Sequence, residues 1–308
     1  MAIRMAIGAL AFTALTSPAA GLAVSKRPVI AITIDDLPTH ASLPPGETRV
    51  AIGRSIIAAL KAGRVPARGF VNGAAIEKEP LSAQVLDDWS KAGLPLGNHG
   101  WSHRNLDQMS AAAFEEELAR NEPLIAGVAA GGDWRWFRYP YLAEGKDPAK
   151  RDAARAILAA RGYRIAAVTM SFGDFAYNDP YARCVAQRDR KAIARLERDW
   201  LAAARAEAIR ARAMAHTLYG RDIPYVLLLH LGALDARLMP RLIALYRRMG
   251  FDFTSLEQAE RDPVYAADLD PASPAAIPGL EGRLRAAGKP VPPSSPLPEA
   301  QGRICAAR

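Results

Sequence analysis

Short apolar runs take turns with stretches of helical periodicity along most of this chain, and that alternation narrows the folds open to it. Residues 28–34, "VPARGFVNG" (65–73), "LPLG" (94–97), "WRWFRYPY" (134–141), "YRIAAVTM" (163–170) and "IPYVLLLH" (223–230) read as strands. "FDFTSLEQA" (251–259) reads as a last strand and turn. Between them, residues 47–63, 81–93, 110–128, 148–162, 186–219 and 233–250 space their apolar side chains as helices do. Ser110 suits an N-cap, Pro148 a first helical turn, and Gly63, Gly93 and Gly162 helix ends. Strands separated by helices must cross over before they pair. The sheet is therefore expected to be mainly parallel and the fold α/β, open or closed.

In parallel α/β folds the C-terminal ends of the strands gather on one face, and sites are built there. The unusual polar residues of this chain fall at those ends. "TIDD" closes the first strand with Asp35 and Asp36, and "GNHGWSH" (97–103) brings His99 and His103. "FRYPY" (137–141) brings Arg138, "SFGDF" (171–175) brings Asp174, and "LLLHLG" (227–232) brings His230.

Adjacent carboxylates at the end of a buried strand repel each other unless something offsets them. They could cap the next helix or form a turn. They could also line the acidic Mg²⁺ pocket of a phospho-receiver domain, which needs a further Asp and a Lys at later strand ends; the His pair argues against it. A third reading is a metal site. A four-residue spacing puts His99 and His103 on one face of a helical turn, and two imidazoles with one carboxylate suit Zn²⁺ with a position left for water. An HxxxH spacing alone more often marks a helix face. This chain, however, has five His, and three of them sit at strand ends. On that reading Asp36 binds the cation. Asp35 stays free as a base for a water whose pKa the cation lowers toward about 7.

The formal net charge is +8. Arg residues are densest over 183–221, but no compact basic block is interleaved with aromatics. Nucleic acid is not an expected partner, and a solvated helix face is the simpler reading. Residues 1–25 carry Arg4, then an apolar stretch from Met5 to Leu15, then small residues around Pro18 to Ala23. That is the pattern of a secretory signal. Cleavage after Ala20 or Ala23 would give a periplasmic or secreted protein with no stable membrane insertion; an uncleaved anchor is the other reading. The two cysteines, Cys184 and Cys305, could pair in that oxidising compartment and are too few for a Cys-rich metal site. From about Arg261 onward Pro, Ala, Gly and Ser dominate, which reads as a peripheral or disordered tail rather than core.

"TIDD", "HGWSH", "RYPY", "SFGDF" and "LLLH", in that order, resemble the five motifs of the polysaccharide deacetylases, the NodB-homology or carbohydrate esterase family 4 proteins. The likeness covers roughly residues 28–260. It implies an irregular (β/α) barrel with fewer than eight complete units. It implies Asp35 as catalytic base, Asp36, His99 and His103 as metal ligands, and Arg138 as the residue that holds the base. It also implies that Tyr141 offers its backbone N–H to an oxyanion and that His230 protonates the leaving amine. The metal would be Zn²⁺ in the first instance, and Co²⁺ or Mn²⁺ can use such a site. The fourth motif departs from the family pattern: Ser171 stands where an Asp is usual and Phe175 where a Trp is usual. Asp174 matches the motif's second acid and is expected to support Arg138.

The implied activity is removal of N-acetyl groups from a glycan (peptidoglycan, an exopolysaccharide or a chitin-like oligomer) by a metal-activated water. Two alternatives stay open: hydrolysis of a non-sugar C–N amide, and a non-catalytic glycan-binding protein of the cell wall. The expected organisation is a signal peptide (1–23), a NodB-like domain (24–261) and a Pro/Ala-rich tail (262–308). Each residue keeps a plainer role as well: Arg138 paired with a core acid, His230 as a satisfied core histidine, Asp174 in a turn. Trp101, Trp134 and Trp136 read as packing rather than sugar platforms, and His40 and His216 as surface or helix residues.

Overall fold

The first strand, β1 (Val29–Leu37), is buried along almost its whole length and runs on through both acids, which are therefore part of the strand end. Its Val, Ile and Thr residues suit a pleated surface packed on both faces. The computed structural model describes residues 27–129, 132–275, 277–294 and 303–306, so the expected signal segment lies outside the described residues. Six further strands follow: β2 (Ala67–Val71), β3 (Leu96–Asn98), β4 (Trp136–Phe137), β5 (Arg164–Ile165), β6 (Tyr225–His230) and β7 (Asp252–Thr254). All pairings are parallel, in the order β5-β4-β3-β2-β1-β6. On β1 the third partner, β7, takes Val29–Ala31, and β2 takes Ile32–Leu37. The parallel sheet with flanking helices is the expected irregular (β/α) barrel.

The longer helices are α1 (Arg49–Gly63), α2 (Gln84–Lys91), α3 (Ala111–Val128), α4 (Pro148–Ala160), α5 (Phe175–Ala186), α6 (Arg190–Tyr219), α7 (Ala233–Arg248) and α8 (Gly279–Ala286). The Ser110 side chain caps α3 by accepting from the Ala113 N–H at 3.2 Å, as its sequence position led one to expect. Gly220, left-handed at φ 69°, closes α6. α1 packs against α7 and α2, and α6 against α5, α7 and α8.

Three sequence readings change here. The segments 134–141 and 163–170 contribute only two strand residues each, because both chains soon leave the sheet to carry site residues. The helical region expected over 186–219 is preceded by a separate helix that starts at Phe175. The segment after Arg261 is not excluded from the core. Tyr265, Leu280 and Leu284 are buried within it, and α8 lies on α6. Leu280 and Leu284 lie on one face of α8 at i,i+4, a signal too sparse to stand out from the Pro/Ala background. The end of the chain is tied down as well: Cys184 and Cys305 form a disulfide across 121 residues, with Cα atoms 5.3 Å apart. No helix among the described residues is long and apolar enough to cross a membrane.

α6 also supports the fourth motif from behind. Its Trp200, fully buried, meets Phe172 edge-on with ring centroids 4.9 Å apart. Burying a side chain of that size contributes roughly 1.5–3 kcal/mol, applied here to the loop that carries Asp174.

Candidate active site

Asp35 on β1 and His230 on β6 are register partners. Parallel pairing thus brings together two residues 195 positions apart in the chain. One residue further on, Asp36 adopts a left-handed backbone, φ 62°, as do His103 (54°) and Tyr141 (59°). Such a conformation costs a non-glycine residue about 1–3 kcal/mol. Finding it at three candidate site residues means the surrounding fold imposes their directions.

Asp35 is buried, and its Oδ2 lies 3.5 Å from Arg138 Nη1 and 3.5 Å from His99 Nε2. The other oxygen, Oδ1, is buried with no hydrogen-bond donor. Arg138 is fixed by its remaining nitrogens. Nε donates to the Ala166 carbonyl at 2.9 Å, and Nη2 to Thr33 Oγ1 at 3.1 Å and to the Ala167 carbonyl at 3.3 Å. The guanidinium is therefore aimed at Asp35 by the backbone after β5 and by β1 itself.

Asp174 does not support Arg138, which corrects the sequence expectation. It is fully buried and accepts from His230 instead: from the backbone N–H at 2.7 Å, and from Nδ1 with both oxygens at 3.1 Å. The cause is local. Met170 bridges to Leu227 on β6, so the following loop runs along β6 and delivers Asp174 to the end of that strand. Burial by itself would lower the pKa of His230. The charge and hydrogen bond of Asp174, with Asp36 and Asp35 beyond, push it up to about 10. Behind Asp174 stands Asp235 of α7, also fully buried, which takes a 2.7 Å hydrogen bond from Asn178 Nδ2. Burial and the neighbouring Asp174 charge drive the Asp235 carboxyl well above the usual range.

His99 Nδ1 lies 2.8 Å from the Arg138 carbonyl. A carbonyl can only accept, so Nδ1 carries the hydrogen and Nε2 presents a lone pair. His99 Nε2 and His103 Nε2 lie 3.6 and 3.5 Å from Asp36 Oδ1. One ligand atom from each of the three residues falls within 4.8 Å of the others. Asp36 Oδ1 is itself buried without a donor. An orphaned carboxylate oxygen facing two imidazoles fits a divalent cation. Burial would raise the Asp36 carboxyl; the hydrogen bond to His40 and the charges of His230 and His99 outweigh it and hold it well below the usual carboxylate range.

The His pair does not sit on a helix. Residues 99–103 form a loop, with Gly100 at φ 74°. Asn72 Nδ2 holds that loop through the carbonyls of His99 (2.7 Å) and Gly100 (2.9 Å). Asn72 follows β2 directly, so the strand-end rule that found the other residues could have found it. His40, read as a surface residue, lies in the site, with Nδ1 2.7 Å from Asp36 Oδ2 and its ring 4.8 Å from that of His230. Nothing in its local sequence marks it. His216 is exposed, as expected.

These groups line a cavity of about 360 Å³ whose floor is Asp35, Asp36, His99 and His230. Its rim carries three exposed apolar side chains, Tyr141 (66%), Phe175 (48%) and Leu142 (40%). Asp36, His40 and His103 also border a second recess of about 300 Å³ with Asn72, Lys78 and Trp101. Trp101 lies under the Arg120 guanidinium at the edge of that recess, whereas Trp136 is core packing, as expected.

Residues 23–166 match the family model described as polysaccharide deacetylase. Over those residues the chain matches a NodB-type polysaccharide deacetylase domain. Solved structures with the same fold include the family 4 carbohydrate esterase domain of a multidomain xylanase from the hindgut metagenome of Trinervitermes trinervoides. It is 16% identical over 79% of this chain and 95% of that one, with a TM-score of 0.55. A family 4 carbohydrate esterase from Streptomyces lividans in complex with acetate is 20% identical over 76% and 96%, with a TM-score of 0.50. A family 4 pseudoenzyme from Bacillus anthracis is 14% identical over 76% and 66%, with a TM-score of 0.54. No curated protein matches the chain significantly in sequence. At these identities the structural likenesses establish the deacetylase fold alone.

Proposed function

We propose that the deacetylase domain is a metal-dependent hydrolase that removes N-acetyl groups from an N-acetylated polysaccharide. The observation that carries this reading is the convergence, on one cavity, of a buried carboxylate with one oxygen free of any donor (Asp35), a His/His/Asp ligand set and a carboxylate-backed imidazole (His230). Asp36, His99 and His103 would hold a divalent cation, Zn²⁺ in the first instance with Co²⁺ or Mn²⁺ as alternatives. When bound it would supply a Lewis acid for the acetyl carbonyl and lower the pKa of water.

The chain's own residues account for the proton transfers. Asp35, with Oδ1 free of any donor and Oδ2 beside Arg138, is the group able to take a proton from the attacking water. Arg138 keeps that carboxylate in position. The backbone N–H of Tyr141, whose side chain stands at the rim, is the proposed donor to the oxyanion, and such donors are often the largest single contribution in acyl transfer. His230, held protonated by Asp174, gives its proton to the departing amine. Acetate and a free amino sugar result.

The two recesses flank Asp36, His40 and His103. Their combined reach suits a substrate longer than one sugar ring and favours a glycan over a small non-sugar amide. A base and an acid both in position favour catalysis over a binding role. We propose export to the periplasm or beyond, supported by the apolar N-terminal segment and by a disulfide, which an oxidising compartment preserves. Residues 24–261 would make up the catalytic domain, with the segment after 262 packed against it. The reading is tested by acetate release from N-acetylglucosamine oligomers and peptidoglycan with and without Zn²⁺. Release that needs the metal supports it. With metal bound, no release from either substrate would move the search to other amides or to a binding role.

A further inference from the structure

His40 is the one histidine at the site that the functional reading leaves without a task. Its geometry is specific. The side chain is 15% exposed, and Nδ1 lies 2.7 Å from Asp36 Oδ2. A carboxylate oxygen can only accept, so Nδ1 is the donor. The other Asp36 oxygen, Oδ1, is the one that faces His99 and His103 and has no donor of its own. The two oxygens of Asp36 are thus differentiated: one is occupied by His40 and the other is left for the cation.

The loop that carries His40 is built to keep it there. Arg49 of α1 donates from Nη1 to the carbonyls of His40 (2.8 Å) and Ala41 (2.7 Å). Arg49 is itself gripped by Glu79 through two hydrogen bonds of 3.1 and 3.0 Å. Ala41 takes a left-handed backbone, φ 55°, and the Ser42 N–H is tied to Asp179 at 2.8 Å. A surface histidine needs no such support.

We infer that His40 is a positioning residue of the candidate metal centre, fixing the plane of the Asp36 carboxylate and reserving Oδ1 for the cation. The inference rests on the proposed role of Asp36 as a ligand. Without the Nδ1 hydrogen bond the carboxylate would turn about its terminal torsion, and Oδ2 would compete for the same ion. Partners of this kind behind a ligand typically change metal affinity about 10–100-fold. The neighbouring His230 is held independently by Asp174, so the effect is expected in metal binding first and only through it in catalysis.

The test is Zn²⁺ affinity of the mature chain, by competition with a chromophoric chelator, together with the visible absorption of the Co²⁺ form. His40→Phe keeps a ring beside His230 but has no donor. His40→Asn puts an amide N–H near the place of Nδ1. His40→Ala gives a second reading of the lost donor if the Phe variant does not fold, which circular dichroism checks. The expected result is 10–100-fold weaker Zn²⁺ binding and an altered Co²⁺ spectrum for Phe and Ala, with Asn within a few-fold of the wild type. Wild-type affinity and an unchanged spectrum in the folded Phe or Ala variant would overturn the inference, as would equal losses in Phe and Asn. If the wild type binds and His99→Ala does not, the ligand set stands whatever His40 does. If the wild type itself binds no metal, that reading and this inference fall together.

Discussion

Asp174 and His230 form a doubly anchored pair: one carboxylate accepts both the backbone N–H and the ring N–H of the same histidine. The sign of its effect on pH dependence is fixed. Burial favours the neutral ring and the carboxylate favours the charged one; with Asp174 present His230 stays protonated up to about pH 10. In Asp174→Asn the main support of the charged ring is gone while burial and the Asp36 and Asp35 charges remain, so the pKa should fall well below 10. Nitrogen-15 NMR of the chelator-treated protein reads that shift directly, and the basic limb of the activity profile should move to lower pH with it. The pair's contribution to stability is complete below about pH 6.5 and lost as pH rises through about 10, so the mutant's stability should vary less over that window.

Arg138 should be irreplaceable by lysine. It meets Ala166, Ala167, Thr33 and Asp35 with a planar fork, and one ammonium cannot reach all four. Arg138→Lys is expected to lower kcat about 100-fold, and Arg138→Met to destabilise the fold by about 3–5 kcal/mol through buried groups left unpaired. Urea unfolding and steady-state kinetics separate the two effects.

Much of this site was legible because strand ends are legible. Asp35, Asp36, His99, His103, Arg138 and His230 each follow or finish an apolar run, and a parallel sheet has only one face on which to collect them. Partnership was not legible. The motif order pairs Asp174 with Arg138, yet the Met170–Leu227 bridge steers it to His230, a long-range pairing with no local trace. His40 escaped because its position depends on Arg49 and Glu79, elements apart in the sequence. The HxxxH spacing named two residues that the structure does bring together beside Asp36, but on a loop held by Gly100 and Asn72 where a helical turn was expected. The burial of Leu280 and Leu284 was masked by the composition around them.

The disulfide closes a span of 121 residues, which in the chain-entropy account stabilises the fold by about 4–5 kcal/mol. Cys305→Ser, or reduction under native conditions, should lower Tm while leaving kcat of the surviving folded enzyme unchanged, because neither cysteine lines the site cavity. Differential scanning fluorimetry with and without reductant checks it.

Metal removal should act on activity and stability together. Chelation is expected to abolish acetate release and lower Tm. Zn²⁺ at about 100 times its Kd should restore roughly 2.7 kcal/mol of stability.

The central claim is that Asp35 is the base of a deacetylase, and one comparison reaches it directly: acetate release from N-acetylglucosamine oligomers by the Zn²⁺-loaded wild type and by Asp35→Asn. The amide keeps the shape of the carboxylate but cannot take the proton. Release by the wild type with a loss of about 100-fold or more in the variant, at unchanged metal content, is the expected result. Equal release by the two proteins would contradict it.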